Sequence, residues 1–148
     1  MIEVYFNKFQ IETDKKRSEN IDKLKEFVCT DKQPIISFNF DFKGKPFFGT
    51  VTETKFDIMP VVEGRNSFVP VLKGEIIGDN SSLIVVKMRL HFLVISFILF
   101  LTILILLSIL NNMNNGGLII LPVIYSATIF FYLRESKKYK TKFENYFK

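Results

Sequence analysis

The chain has 148 residues, 48% of them hydrophobic, with 17 phenylalanines, no tryptophan, one cysteine and a formal net charge of +5 at pH 7. Such a length holds one soluble domain with a modest core beside a pair of membrane helices, and a lone cysteine, Cys29, excludes an intramolecular disulfide. The charge does not mark a nucleic-acid binder: residues 1–89 carry 14 Lys+Arg against 13 Asp+Glu, and the excess lies after residue 133, with 6 against 2.

No cleavable leader is expected, because Glu3 and Asn7 interrupt the first ten residues. Residues Ile2–Ile11, with Val4, Phe6, Phe9 and Ile11 among polar neighbours, predict a first strand. A charged loop follows over Glu12–Glu19. Ile21, Leu24, Phe27 and Val28 then fall at helical spacing behind a candidate cap, Ser18, and predict one amphipathic helix over Glu19–Val28 that covers a sheet face.

Beyond that helix the period drops to two. In Ile35–Phe42 the apolar Ile36, Phe38, Phe40 and Phe42 alternate with Ser37, Asn39 and Asp41, and a Lys43–Pro46 turn leads into a second strand over Phe47–Glu53. Lys55–Val62, Ser67–Ile77 and Ser82–Leu90 complete the strands. In the last of these Leu83, Val85 and Lys87 share one face while Ile84, Val86 and Met88 share the other. The expected fold is α+β: a small antiparallel sheet, curved as a half-barrel, with one amphipathic helix, then a transmembrane helical hairpin and a short C-terminal amphipathic helix.

Phe92–Leu110 holds no charged residue over nineteen positions. At about 1.5 Å per residue it reaches roughly 29 Å, against a hydrocarbon core of ~30 Å. Gly117–Leu133 is a second apolar run, interrupted by Pro122, which predicts a kink. The Asn- and Gly-rich link Asn111–Gly116 suits a reversal. Three regions result: a β-rich cytoplasmic domain over 1–89, a hairpin over 90–133 with spans 90–110 and 116–133, and a basic tail over 134–148. Lysine and arginine flank the hairpin but are missing from its loop, so both termini are expected in the cytoplasm and the protein in the cytoplasmic membrane. Neither span carries an internal charge of the kind that marks a transport path, and anchoring is the expected role.

In the tail Tyr139, Phe143, Tyr146 and Phe147 fall on one helical face, leaving Lys137, Lys138, Lys140 and Lys142 on others. Such a helix either lies in the membrane interface, with Tyr139 and Phe143 in lipid and the lysines at phosphates, or extends the second span and docks on the sheet.

Reactive constellations are missing from the pattern. Cys29 and His91 have no spacing motif around them, one His with one Cys completes no zinc set, and no phosphate-cradling glycine loop occurs. Six carboxylates, Asp41, Glu53, Asp57, Glu63, Glu75 and Asp79, scatter without a selecting spacing. No enzyme activity, metal or other cofactor is expected. The polar stretch Arg65, Asn66, Ser67 beside Gly64 reads either as donors for a partner or anion or as a plain turn.

Phe48-Gly49, Arg65-Asn66-Ser67-Phe68-x-Pro70-x-x-x-Gly74 and Lys87-Met88-Arg89 ahead of a helical hairpin resemble small bacterial membrane proteins of uncharacterised function. That resemblance transfers no site residue. A weaker likeness is to bacterial pleckstrin-homology-like membrane domains, from which this chain departs by placing its helix before the strands. The expected function is a membrane-anchored, non-enzymatic adaptor that binds a membrane or cytoplasmic protein. The alternative is a sensor of anionic lipid headgroups using Arg65, Lys43, Lys45 and the tail lysines.

Overall fold

A computed structural model of the chain describes residues 7–30, 42–62, 66–111 and 117–147. In order these form β1 (Asn7–Thr13), α1 (Arg17–Phe27), β2 (Val28–Cys29), β3 (Phe47–Val51), β4 (Lys55–Pro60), β5 (Val71–Ile77), β6 (Ser82–Arg89), α2 (Phe92–Leu110) and α3 (Gly117–Phe147). The class is α+β, with six strands ordered β1-β6-β5-β4-β3-β2. The expected strand over Ile35–Phe42 falls largely on residues 31–41, outside the described residues.

Two features of the expected sheet are corrected. It is mixed rather than wholly antiparallel, because β2 runs parallel to β3, with Val28 opposite Phe47. A parallel return needs a connection of about a dozen residues or more, which residues 30–46 provide. It is also open rather than curled into a half-barrel, with β1 and β2 as its two ends among the described strands.

Alternation sorts the strands into two faces. On one, Phe9, Val86, Gly74, Phe56 and Val51 form a cross-strand row, and Ile58, Leu72 and Met88, all fully buried, continue the same face. Gly74 is needed there because a Cβ would run into the ring of Phe56. Gly49 (φ 145°) lies against the backbone of Asp57 and Ile58 on the neighbouring strand, where a side chain has no room.

α1 crosses this apolar face from the β1 end to the β2 end, burying Ile21, Leu24 and Phe27 as its spacing predicts. It starts earlier than expected. Lys16 occupies the cap position without a side-chain bond, and Ser18 lies within the first turn. The start is held instead by the β5–β6 turn: Arg17 reaches Asp79 Oδ1 at 2.6 Å, and its backbone N–H donates to Asp79 O. At the other end Lys45 Nζ donates to the carbonyls of Lys25 (2.6 Å) and Val28 (3.0 Å), satisfying acceptors that a helix end leaves open.

The second cover is the far end of α3. The apolar run and the tail form one helix of 31 residues, continuous through Pro122. Tyr139, Phe143 and Phe147 belong to the same buried core as the sheet and α1. Phe143 stacks on Phe56 at 5.6 Å between centroids and meets Phe9, Phe27 and Phe47 edge-on. Burying one such ring is worth about 1.5–3 kcal/mol. The two ends of the chain therefore share one core.

α2 has no buried residue, and Phe97, Phe100, Ile103 and Leu110 are all more than half exposed. Both α2 and Ile119–Phe147 of α3 are long and apolar enough to cross a membrane. The helices touch through Thr102, whose hydroxyl donates to Ile98 O (2.8 Å) and so accepts from the Tyr125 hydroxyl (3.0 Å). Only Leu90 and His91 separate β6 from α2.

Candidate functional site

Two surfaces stand out, one beside the short β6–α2 link and one on the sheet. The first is a groove of about 680 Å3 between the sheet end and the apolar helices. Its walls come from α2 (Leu93, Val94, Phe97, Ile98, Leu101) and α3 (Ile124, Ala127, Thr128, Phe131), and its mouth from the β4–β5 loop and His91. The loop is braced on α3 by Phe68, stacked on Phe131 at 5.6 Å.

Polar groups gather at the mouth. Asn66 Oδ1 accepts from the Phe68 N–H (3.1 Å), which leaves the Asn66 amide nitrogen as a donor. Ser67 is exposed beside it. His91 caps α2, its Nδ1 accepting from the Leu93 N–H at 3.2 Å. A ring nitrogen that accepts carries no proton, so the neutral tautomer has its proton on Nε2. Burial, and then the nearby Arg89 charge, hold the His91 pKa below its usual 6.5. Thr128 is the polar residue deeper in the groove, and its hydroxyl donates to Ile124 O within the helix.

The second surface is the sheet face turned away from the core. Thr50, Asp57, Lys73, Lys87 and Lys8 stand opposite one another across five strands. Three of these, Lys8, Lys87 and Lys73, are adjacent lysines on neighbouring strands. Lys73 reaches Asp57 at 3.6 Å. The shallow depression here is lined by Lys8, Lys55, Lys73 and Lys87 against one acid, Glu75, with Leu83, Val85 and Ile77 as its apolar part.

The expected site residues divide among these surfaces. Asn66 and Ser67 line the groove and also make the turn, whereas Arg65 lies outside the described residues. Tyr139 (4% exposed) and Phe143 (0%) are not lipid contacts: the sheet offers them an apolar partner, and α3 extends to reach it. Lys137, Lys138 and Lys142 remain exposed, and Lys140 pairs with Glu144 at 3.8 Å while lying over the Phe9 ring. Lys45 is committed to the end of α1. Cys29 is buried in β2 at the sheet end, on a different element from His91 in the groove mouth.

Residue spacing along the chain does not reveal the lysine row. The alternation of Lys8 with Phe9 and of Lys87 with Met88 was a usable signal for the face, but adjacency of Lys8, Lys87 and Lys73 depends on the pairing of strands far apart in sequence. No protein-family model, curated protein or solved structure matches the chain.

Proposed function

We propose that this chain is a membrane-anchored, non-enzymatic adaptor whose open sheet face docks an acidic segment of a protein partner at the cytoplasmic membrane surface. The observation that carries it is the Lys8–Lys87–Lys73 row, which sets three cationic side chains next to one another on the sheet face away from the core, complementary to an acidic segment. The adjoining Leu83, Val85 and Ile77 supply apolar contact of the kind a protein surface uses. In this reading α2 and the first half of α3 cross the bilayer, the positive flanks keep both termini in the cytoplasm, and the two-residue link holds the sheet against the headgroups with little freedom to swing.

The test uses full-length protein extracted gently from its native membrane after zero-length carbodiimide coupling, which joins amines to carboxylates. Lys8, Lys73 or Lys87 is expected in covalent linkage to aspartate or glutamate of one protein. Lys8→Glu combined with Lys87→Glu is expected to lower its recovery about tenfold, equivalent to about 1.4 kcal/mol. Reversal of the exposed Lys25 on α1 leaves recovery unchanged. Equal recovery from wild type and the double reversal, or a chain that emerges alone, rejects the reading.

A further inference from the structure

The groove between the helices and the β4–β5 loop has a chemistry of its own, separate from the sheet face. Its walls are side chains of two helices apolar enough to cross a membrane. Inside a bilayer the medium beside such walls is hydrocarbon, so what enters from the side is an acyl chain. At about 680 Å3 it falls among small-molecule sites, which run about 300–1,000 Å3.

The mouth then selects the other end of the molecule. It offers donors: the Asn66 amide, the Ser67 hydroxyl and His91 Nε2–H, with the N-terminus of a 19-residue helix directly behind them. Among the described residues no acid lines the groove. Arg89, two residues before His91 and close enough to influence it electrostatically, has its Nε buried without a hydrogen-bond partner among the described residues. Donors, helix terminus and guanidinium are all complementary to negative charge. The bracing of Phe68 on Phe131 sets the donors in place before a ligand arrives.

We infer that the groove is a binding site for one membrane lipid with an anionic headgroup, its acyl chain lying between α2 and α3 and its head held by Asn66, Ser67 and His91, with the Arg89 charge nearby. The inference rests on the bilayer placement proposed above and not on the protein partner.

The full chain in nanodiscs containing equal phosphatidylglycerol and phosphatidylcholine, with identical acyl chains, is ejected and weighed by native mass spectrometry. One phosphatidylglycerol is expected to stay with each chain, in preference to phosphatidylcholine and in the presence of excess inorganic phosphate. Ala127→Phe, which fills the groove wall, removes it. Asn66→Asp with Ser67→Asp leaves the walls intact and keeps an acceptor for the Phe68 N–H, so it tests the head site even if the wall variant fails to fold; retention falls about tenfold. Equal retention of the two lipids, displacement by phosphate alone, or retention unchanged by the aspartates overturns the inference. A chain that does not enter nanodiscs at all overturns the bilayer placement with it, whereas one that inserts without selecting lipid overturns the groove alone.

Discussion

Lys45 shows how one side chain can be spoken for by the fold. Its ammonium donates to two carbonyls where α1 gives way to β2, replacing water at acceptors near the helix end. Lys45→Met is expected to lower unfolding stability by about 1–2 kcal/mol, with Lys25→Met as a near-neutral control. Chemical unfolding of full-length protein in mild detergent measures both. His91 supplies a pH dependence. Its pKa in the folded chain lies below 6.5, so between those two values the unfolded chain binds more protons. Its contribution is therefore complete above pH 6.5 and is lost as pH falls through the folded value. His91→Asn keeps a cap acceptor for the Leu93 N–H and removes the titration. Wild-type stability should fall relative to that of the variant on acidification from pH 7.5 to 5.

The decisive element is α3, because one helix carries two kinds of surface. Its first half is apolar enough to cross a membrane, and its second half is amphipathic with an aromatic stripe. That stripe needs an apolar partner. Lipid and the sheet both qualify, which is why the pattern of Tyr139, Phe143, Tyr146 and Phe147 left two readings open. The sheet wins in the structure because Phe56, Phe9, Phe27 and Phe47 present edges and faces to Phe143. Phe143→Ala removes the centre of this cluster at an expected cost of about 3–5 kcal/mol. Limited proteolysis of the membrane-embedded protein should then cut rapidly after the lysines between 137 and 142, sites that the docked helix protects. Unchanged cleavage would mean that the tail is held by something other than this cluster.

For the molecule as a whole, the pairing of strands brings Lys8, Lys87 and Lys73 next to one another on the outer sheet face. Lys8→Glu places an acid opposite Lys87 and should raise stability by about 0.2–1 kcal/mol while weakening partner recovery. A variant that gains stability and keeps its partner would separate the lysine row from docking. Orientation has its own check. In a Cys29→Ser background, a cysteine at Asn114 is expected to label with a membrane-impermeant maleimide from outside intact cells, and one at Lys138 only after the membrane is opened. The opposite pattern would invert the proposed topology.

The elements that depend on short-range periodicity were legible from residues alone. α1, the strands from Phe47 to Arg89, α2 and the apolar half of α3 follow from alternation and helical spacing, because each pattern reflects which neighbours along the chain share a face. The Asn66–Ser67 turn was legible as well, but its position at the mouth of a groove was not. What tertiary structure decided is every feature that joins distant residues: the parallel pairing of β2 with β3, Lys45 on α1, the docking of the tail under the sheet, and three lysines brought side by side. A residue pattern specifies that a face is apolar or charged. Which surface meets it depends on contacts whose partners lie up to most of the chain length away, and those are set only when the strands take their register and the long helix finds the sheet.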